Sequence, residues 1–359
     1  MTVRLDLGLS APDLTAALCD IPSVSGDEAV LADAVEAALA GHGHLRVHRA
    51  GDTVVARTGL SRGERVIVAG HLDTVPVADN LPTRRDGQML WGRGTVDMKG
   101  GVAVALRLAA HVPEPVRDVT YIFYDHEEVE ADRSGLARVA DRHPEWLTAD
   151  FAVLMEPTAA QVEGGCNGTV RVAVTVRGLA AHSARWWMGS NAVHAAGEVL
   201  DRLRGYVPAE VEVDGLVYRE GLNAVDIRGG IAGNVVPDVC VVTVNYRFAP
   251  IRSEEEALAR LDELFHGYEL TTLDSSPGAL PGLNHPAAAA FVAAVGAEPG
   301  PKHGWTDVAR FSTLGVPAVN YGPGDANLAH ADDERVDVRE VQHCEDRMWA
   351  WLTSAPARG

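Results

Sequence analysis

The chain has 359 residues, enough for two domains and a sizeable buried core. Its 31 Lys and Arg against 50 Asp and Glu give a formal charge of −19, which argues against non-specific binding to nucleic acid or to an anionic membrane surface, since both need a basic face. With 47% hydrophobic and 23% charged residues the composition is globular, so the acidic excess does not signal disorder.

The opening MTVRLDLGLSAPDLT carries Asp6 in a short apolar stretch and no small-residue cleavage site, so no signal peptide is expected. No run of about 18 apolar residues predicts a membrane span. Ser10 and Pro12 mark a helix start that continues from Leu14 to Cys19, and a second helix is predicted over 27–40. Leu45–His48 and Thr53–Arg57 flank a Gly-Asp turn and read as a hairpin. Val66–Ala69, Thr120–Tyr124 and Phe151–Met155 are short apolar runs typical of buried strands. Helices are predicted between them, over Met98–His111 and Gly135–Arg142. This alternation predicts an α/β fold with a mostly parallel central sheet.

The pattern changes near residue 167. Val170, Val172, Val174 and Val176 alternate with other residues, as in a half-exposed strand. A helix over 191–204, strands over Ala224–Gly230 and Val239–Phe248, and a helix over 253–265 follow, the last with Ser253 and Glu256 as a capping box. This predicts a separate small α+β domain over 167–279 with one open sheet face, inserted into an α/β domain made of 1–166 and 280–359. The latter resumes with a helix over 286–295, a strand over 317–320 and a helix over 339–352. Cys19, Cys166, Cys240 and Cys344 are far apart and form no CxxC pair, which argues against a disulfide framework and fits a reducing cytosol.

Three predicted core strands run into acidic or imidazole residues. They are Gly70-His71-Leu72-Asp73, Asp125-His126-Glu127-Glu128 and Glu156-Pro157. Ligands of open α/β sheets bind just beyond the carboxyl ends of the strands, so these endings should converge. Trp91 to Asp97, leading into a helix, and Leu328-Ala329-His330 could join them. A bare carboxylate cluster is unfavourable without a cation, and His with Asp and Glu is the usual mixed donor set for zinc and similar divalent ions. The competing reading of Asp125 to Glu130 is an ordinary solvated loop.

His71-Leu72-Asp73-Thr74-Val75-Pro76, Gly92 to Gly101 (GRGTVDMKGG), Asp125-His126-Glu127-Glu128, Glu156-Pro157-Thr158 and the late His330 together closely resemble the co-catalytic zinc family of aminoacylases, acetylornithine deacetylases and desuccinylases. The resemblance spans nearly the whole chain. It implies a zinc-peptidase-like catalytic domain with an inserted lid and dimerisation domain. It also implies two divalent ions, Zn2+ with Co2+ able to substitute. Asp97 then bridges both ions, His71 and Glu156 hold one, and Glu128 and His330 hold the other. Asp73 accepts a hydrogen bond from His71 and fixes its tautomer. Glu127 is the general base toward a water that the ions activate. His182, in Ala181-His182-Ser183-Ala184, stabilises the oxyanion from the partner subunit of a homodimer.

Ala181 to His194 (AHSARWWMGSNAVH), Gly233-Asn234-Val235-Val236-Pro237-Asp238 and Asn245 to Pro250 are similar to the actinobacterial desuccinylase branch. That implies a cytoplasmic enzyme cleaving N-succinyl-LL-2,6-diaminopimelate for lysine and cell-wall synthesis. Another N-acyl-amino-acid deacylase, a dipeptidase or a non-catalytic metal-binding homologue are the alternatives. An anionic substrate needs Arg forks, for which Arg185 and Arg247 are the candidates, with Asn234 and Thr306 as polar partners. One departure is the segment 164–170, GGCNGTV, where related desuccinylases carry basic residues near an Asn-Gly pair.

Overall fold

The computed structural model describes residues 3–354, so Met1 and Thr2 of the N-terminal reading lie outside it. The chain divides into two compact units. One comprises the chain up to Gly164, Gly282–Gly300 and the chain from Arg310 onward; the other comprises Gly165–Pro281 and Pro301–Ala309.

The first unit is built on an eight-stranded sheet. Its four inner strands, Asp118–Tyr124, Arg65–His71, Phe151–Leu154 and Ala318–Asn320, run parallel in that spatial order. All seven residues of Asp118–Tyr124 are buried, which is why it reads as a continuous apolar run rather than an alternation. The hairpin Arg46–Ala50 and Thr53–Arg57 adds on one side, antiparallel, with Gly51 at φ +64 in its two-residue loop. The helices Ala11–Cys19, Ala29–Ala40, Lys99–His111, Pro286–Val295 and Val338–Thr353 share one apolar core with the sheet. The Phe291 ring packs edge-on against Tyr321 and Trp351 there, which favours the electrostatics of aromatic pairs. Lys99–His111 approaches the sheet so closely that a Cβ at Gly101 would stand 2.1 Å from the Met155 carbonyl oxygen.

The second unit is a four-stranded antiparallel sheet in the order Gly221–Gly229, Val239–Phe248, Gly168–Arg177, Glu269–Ser276. Val170, Val172, Val174, Val242 and Val244 are buried in one apolar cluster with Ala192 and Ala196 of helix Ala192–Arg204 and Leu261 of helix Glu254–Leu264. Ser253 and Glu256 form the reciprocal capping box expected from the sequence. Departures from the predicted pattern include the following. Glu269–Ser276 (ELTTLDSS) is an edge strand, although it lacks apolar alternation; its pairing with Gly168–Arg177 makes it one. Residues 301–309 belong with this unit rather than the first, because Asn167 N–H donates to the Lys302 carbonyl and Cys166 Sγ lies 3.7 Å from the Thr306 carbonyl. All four cysteines are free and buried. Among the described residues no helix is long and apolar enough to cross a membrane.

Candidate active site

The parallel register fixes where the ligand-type residues stand. His71 closes its strand directly opposite Tyr124, so Asp125 to Glu128 continue beside it. Ala69 pairs with Leu154, which sets Glu156 two residues beyond the neighbouring strand end. Asp97 sits just ahead of the helix Lys99–His111, and its peptide to Met98 is cis.

These ends bring five donors together. Ligand atoms of His71, Asp97 and Glu156 lie within 4.8 Å of one another, and so do those of Asp97, Glu128 and His330. Asp97 belongs to both groups. Its Oδ1 is 3.1 Å from His71 Nε2 and its Oδ2 is 3.5 Å from His330 Nε2. His330 Nε2 is also 2.9 Å from Glu128 Oε1. A third grouping joins His71, Glu127 and Glu128. Two imidazoles and three carboxylates, with one carboxylate facing both imidazoles, make a donor set that fits a pair of divalent cations.

The electrostatics carry the same strain. Burial alone would depress the His71 imidazole, but the bond to Asp97 and the charges of Glu127 and Asp73 hold it well above its usual range. His330 is pushed up to about 10, by Asp97 first and then Glu128. Burial opposes ionisation of Asp97, yet its bonds to His330 and His71 keep it well below the usual carboxylate range. Burial pushes Glu128 upward against the pull of its His330 bond. A site that must borrow protons to balance its carboxylates suits cations.

Asp73 acts on this loop in two ways. His71 Nδ1 lies 3.0 Å from the Asp73 main-chain carbonyl and 3.6 Å from its carboxylate, so the nearer acceptor for the ring proton is the carbonyl. The carboxylate instead accepts from the backbone N–H groups of Glu127 at 3.0 Å and Glu128 at 3.1 Å, and from Ser25 Oγ at 2.7 Å.

The remaining candidates lie in the second unit, in two sets. Ala181-His182 pairs with Val235-Val236, and Ser183 N–H donates to the Asn234 carbonyl, which brings His182, Asn234 and the exposed Arg185 into one neighbourhood. His182 is exposed, and its Nδ1 accepts from Ala184 N–H at 3.1 Å, which leaves the proton of the neutral ring on Nε2. Arg247 lies at the other end of the strand Val239–Phe248, where its Nε donates to Asn245 Oδ1, and Thr306 is buried beside Cys166. The strand separates Arg247 from the residues near Val239 by roughly 27 Å at ~3.4 Å per residue.

Residues 67–352 match the peptidase family M20/M25/M40. The chain belongs to that family. Within M20/M25/M40, it is 53% identical over 351 residues to a Mycobacterium tuberculosis protein assigned as succinyl-diaminopimelate desuccinylase DapE, covering 97% of this chain and 99% of the other. It is 45% identical over 339 residues to the succinyl-diaminopimelate desuccinylase of Corynebacterium glutamicum, covering 91% and 92%. Among solved structures, a Staphylococcus aureus tripeptidase superposes with a TM-score of 0.78 at 18% identity, over 98% of each chain. A dinuclear metal-binding M20 peptidase of Bacillus subtilis superposes with a TM-score of 0.68 at 16% identity, over 95% and 96%. At such identities these two structures establish the shared fold.

Arg93 and Glu334 carry no role in the motifs that mark the site in sequence. Arg93 Nη1 lies 2.8 Å from Glu334 Oε2, with both side chains buried. The only signal was position: a base four residues before Asp97 and an acid four residues after His330.

Proposed function

We propose that this M20/M25/M40 protein hydrolyses N-succinyl-LL-2,6-diaminopimelate to succinate and LL-2,6-diaminopimelate, in the cytoplasm, in lysine and cell-wall precursor synthesis. The observation that carries the chemistry is Asp97, which faces His71 with one carboxylate oxygen and His330 with the other. The substrate is supported by the names of the two relatives at 53% and 45% identity. His71 and Glu156 would hold one divalent ion and Glu128 and His330 a second, with Asp97 between them, and Zn2+ suits such a set, with Co2+ able to substitute. Bound ions of this kind acidify a shared water and polarise the scissile carbonyl.

The chain's own residues do the rest. Glu127, its main chain held by Asp73, takes the proton of the attacking water. It returns that proton to the leaving amine nitrogen as the amide C–N bond breaks. The Nε2–H of His182 donates to the carbonyl oxygen as negative charge gathers there. Arg185, Arg247, Asn234 and Thr306 pair with the carboxylates and polar groups of the substrate. The long separation of Arg247 from the neighbourhood of His182 supports a homodimer in which His182 serves the partner's active site.

The test is turnover by the zinc-loaded protein of succinyl-diaminopimelate, N-acetylornithine and dipeptides side by side. The first should be the best substrate. Hydrolysis of either of the others in its place would move the protein to a neighbouring deacylase or dipeptidase activity, and hydrolysis of none would refute an amidohydrolase.

A further inference from the structure

We propose that the buried Arg93–Glu334 pair positions the ligand-bearing turns of both metal sites, with Glu334 acting through the main chain of Asp97 and Arg93 through the loops that follow Asp73 and His330. This rests on the two-metal reading above. Both oxygens of the Asp97 side chain face the two imidazoles, so its aim depends on its backbone. That backbone is held by Glu334, whose Oε1 accepts from the N–H groups of Val96 at 2.9 Å and Asp97 at 3.2 Å. The main-chain carbonyl of Glu334 accepts from Gly92 N–H at 2.9 Å, so both ends of the turn from Gly92 to Asp97 are fixed by one residue.

Arg93 extends the same device. Its Nη1 donates to Glu334 Oε2 at 2.8 Å and to the Ala331 carbonyl at 3.2 Å, and its Nε donates to the Pro76 carbonyl at 3.1 Å. Ala331 adjoins His330, and Pro76 lies three residues beyond Asp73. One ion pair, between residues 241 positions apart, thus ties together three chain segments. Arg93 is 3% exposed and Glu334 1%. Burying a charge pair this deeply is costly, and an apolar pair of similar volume often stabilises a fold as well or better. What an apolar pair cannot do is accept two defined N–H groups and cap two carbonyls. Such outer contacts govern the orientation of ligands, which must be held to a fraction of an ångström.

The experiment titrates the stripped full-length protein with Zn2+ against a competing chelator and records the Co2+ absorption spectrum. The variants are Glu334→Asp, which withdraws the acceptor by one methylene, and Arg93→Lys, which keeps the charge and loses the fork. The double variant Arg93→Met with Glu334→Gln removes both charges together and so leaves no lone buried ion. Asp118→Asn, a buried hydrogen-bonded acid at the far end of the strand Asp118–Tyr124, is the control for lost stability. The three test variants should weaken metal binding roughly 10–100-fold and shift the Co2+ bands, while the control keeps wild-type affinity and spectrum despite a lowered Tm. Variants that bind both ions as wild type does would overturn the inference alone. Wild-type protein that takes up fewer than two ions would overturn the two-metal reading and this inference with it.

Discussion

Asp73 holds Glu127 by the backbone, its Oδ1 accepting the Glu127 N–H at 3.0 Å while Oδ2 accepts that of Glu128 at 3.1 Å. One carboxylate therefore orients both the proposed base and a proposed ligand, and its main-chain carbonyl meets the ring of a second ligand, His71. In Asp73→Asn an amide NH2 would face one of these donors. We expect kcat to fall roughly 10–100-fold, measured beside metal content, with Ser25→Ala giving a smaller loss in the same direction.

The base and the oxyanion donor can be separated genetically. Glu127→Ala should lower kcat by roughly 10²–10⁴-fold and His182→Ala by about 10²-fold, both with two ions still bound. If His182 serves the partner's site, mixing the two inactive variants under conditions that exchange subunits should restore about a quarter of wild-type activity, because a heterodimer rebuilds one of its two sites. No recovery in verified heterodimers would place His182 in its own chain's site or outside the reaction.

Metal uptake should be coupled to protons. In the metal-free protein His330 is held up to about 10, so at pH 7.5 its ring is charged, and His71 is likewise raised well above its usual range. A ligating imidazole must be neutral. Zn2+ binding should therefore release protons, visible in calorimetry as a heat that depends on the buffer's ionisation enthalpy. Affinity should fall as pH falls. The sign for stability is the opposite one. A raised folded pKa stabilises the metal-free protein below about 6.5 and loses that contribution as pH rises through about 10. Metal-free protein should accordingly lose Tm over that window.

Asp118 offers a pH test remote from the site. Burial would raise its carboxyl, but the N–H groups of Leu60 and Arg62, the Thr58 hydroxyl and nearby Arg65 hold it below the usual range. Its contribution is present above about pH 4 and is lost as pH falls through the depressed folded value. Asp118→Asn should cost about 1–3 kcal/mol at pH 7 and give a flatter loss of stability on acidification, measured by urea unfolding from pH 7 to 3.

The parts of the fold that announced themselves in sequence are those whose burial is complete or whose local chemistry is self-contained. Val66–Ala69 and Thr120–Tyr124 are apolar because both faces of their strands are covered, and the capping box of Ser253 and Glu256 closes within four residues. The strand Glu269–Ser276 could not be read, because its neighbour and not its own side chains makes it a strand. The same holds for the short strand Met89–Trp91, which pairs with Arg84–Asp86 on one side and on the other with Arg335–Asp337, more than 240 positions away. At the site, the candidate ligands His71, Glu128 and Glu156 were visible because they follow core-strand ends. The roles of Arg93 and Glu334 were not, since each depends on partners that only the folded chain supplies.

The close approach at Gly101 has a consequence for any survey of tolerated substitutions. A single methyl group there would be driven into the Met155 carbonyl, one residue before Glu156, from a helix whose first residues follow Asp97. The position would score as intolerant as a metal ligand while touching neither ion nor substrate. What it records is a length, the gap between two carboxylates, and an exhaustive mutational map of this protein would mark that gap as sharply as the chemistry it spans.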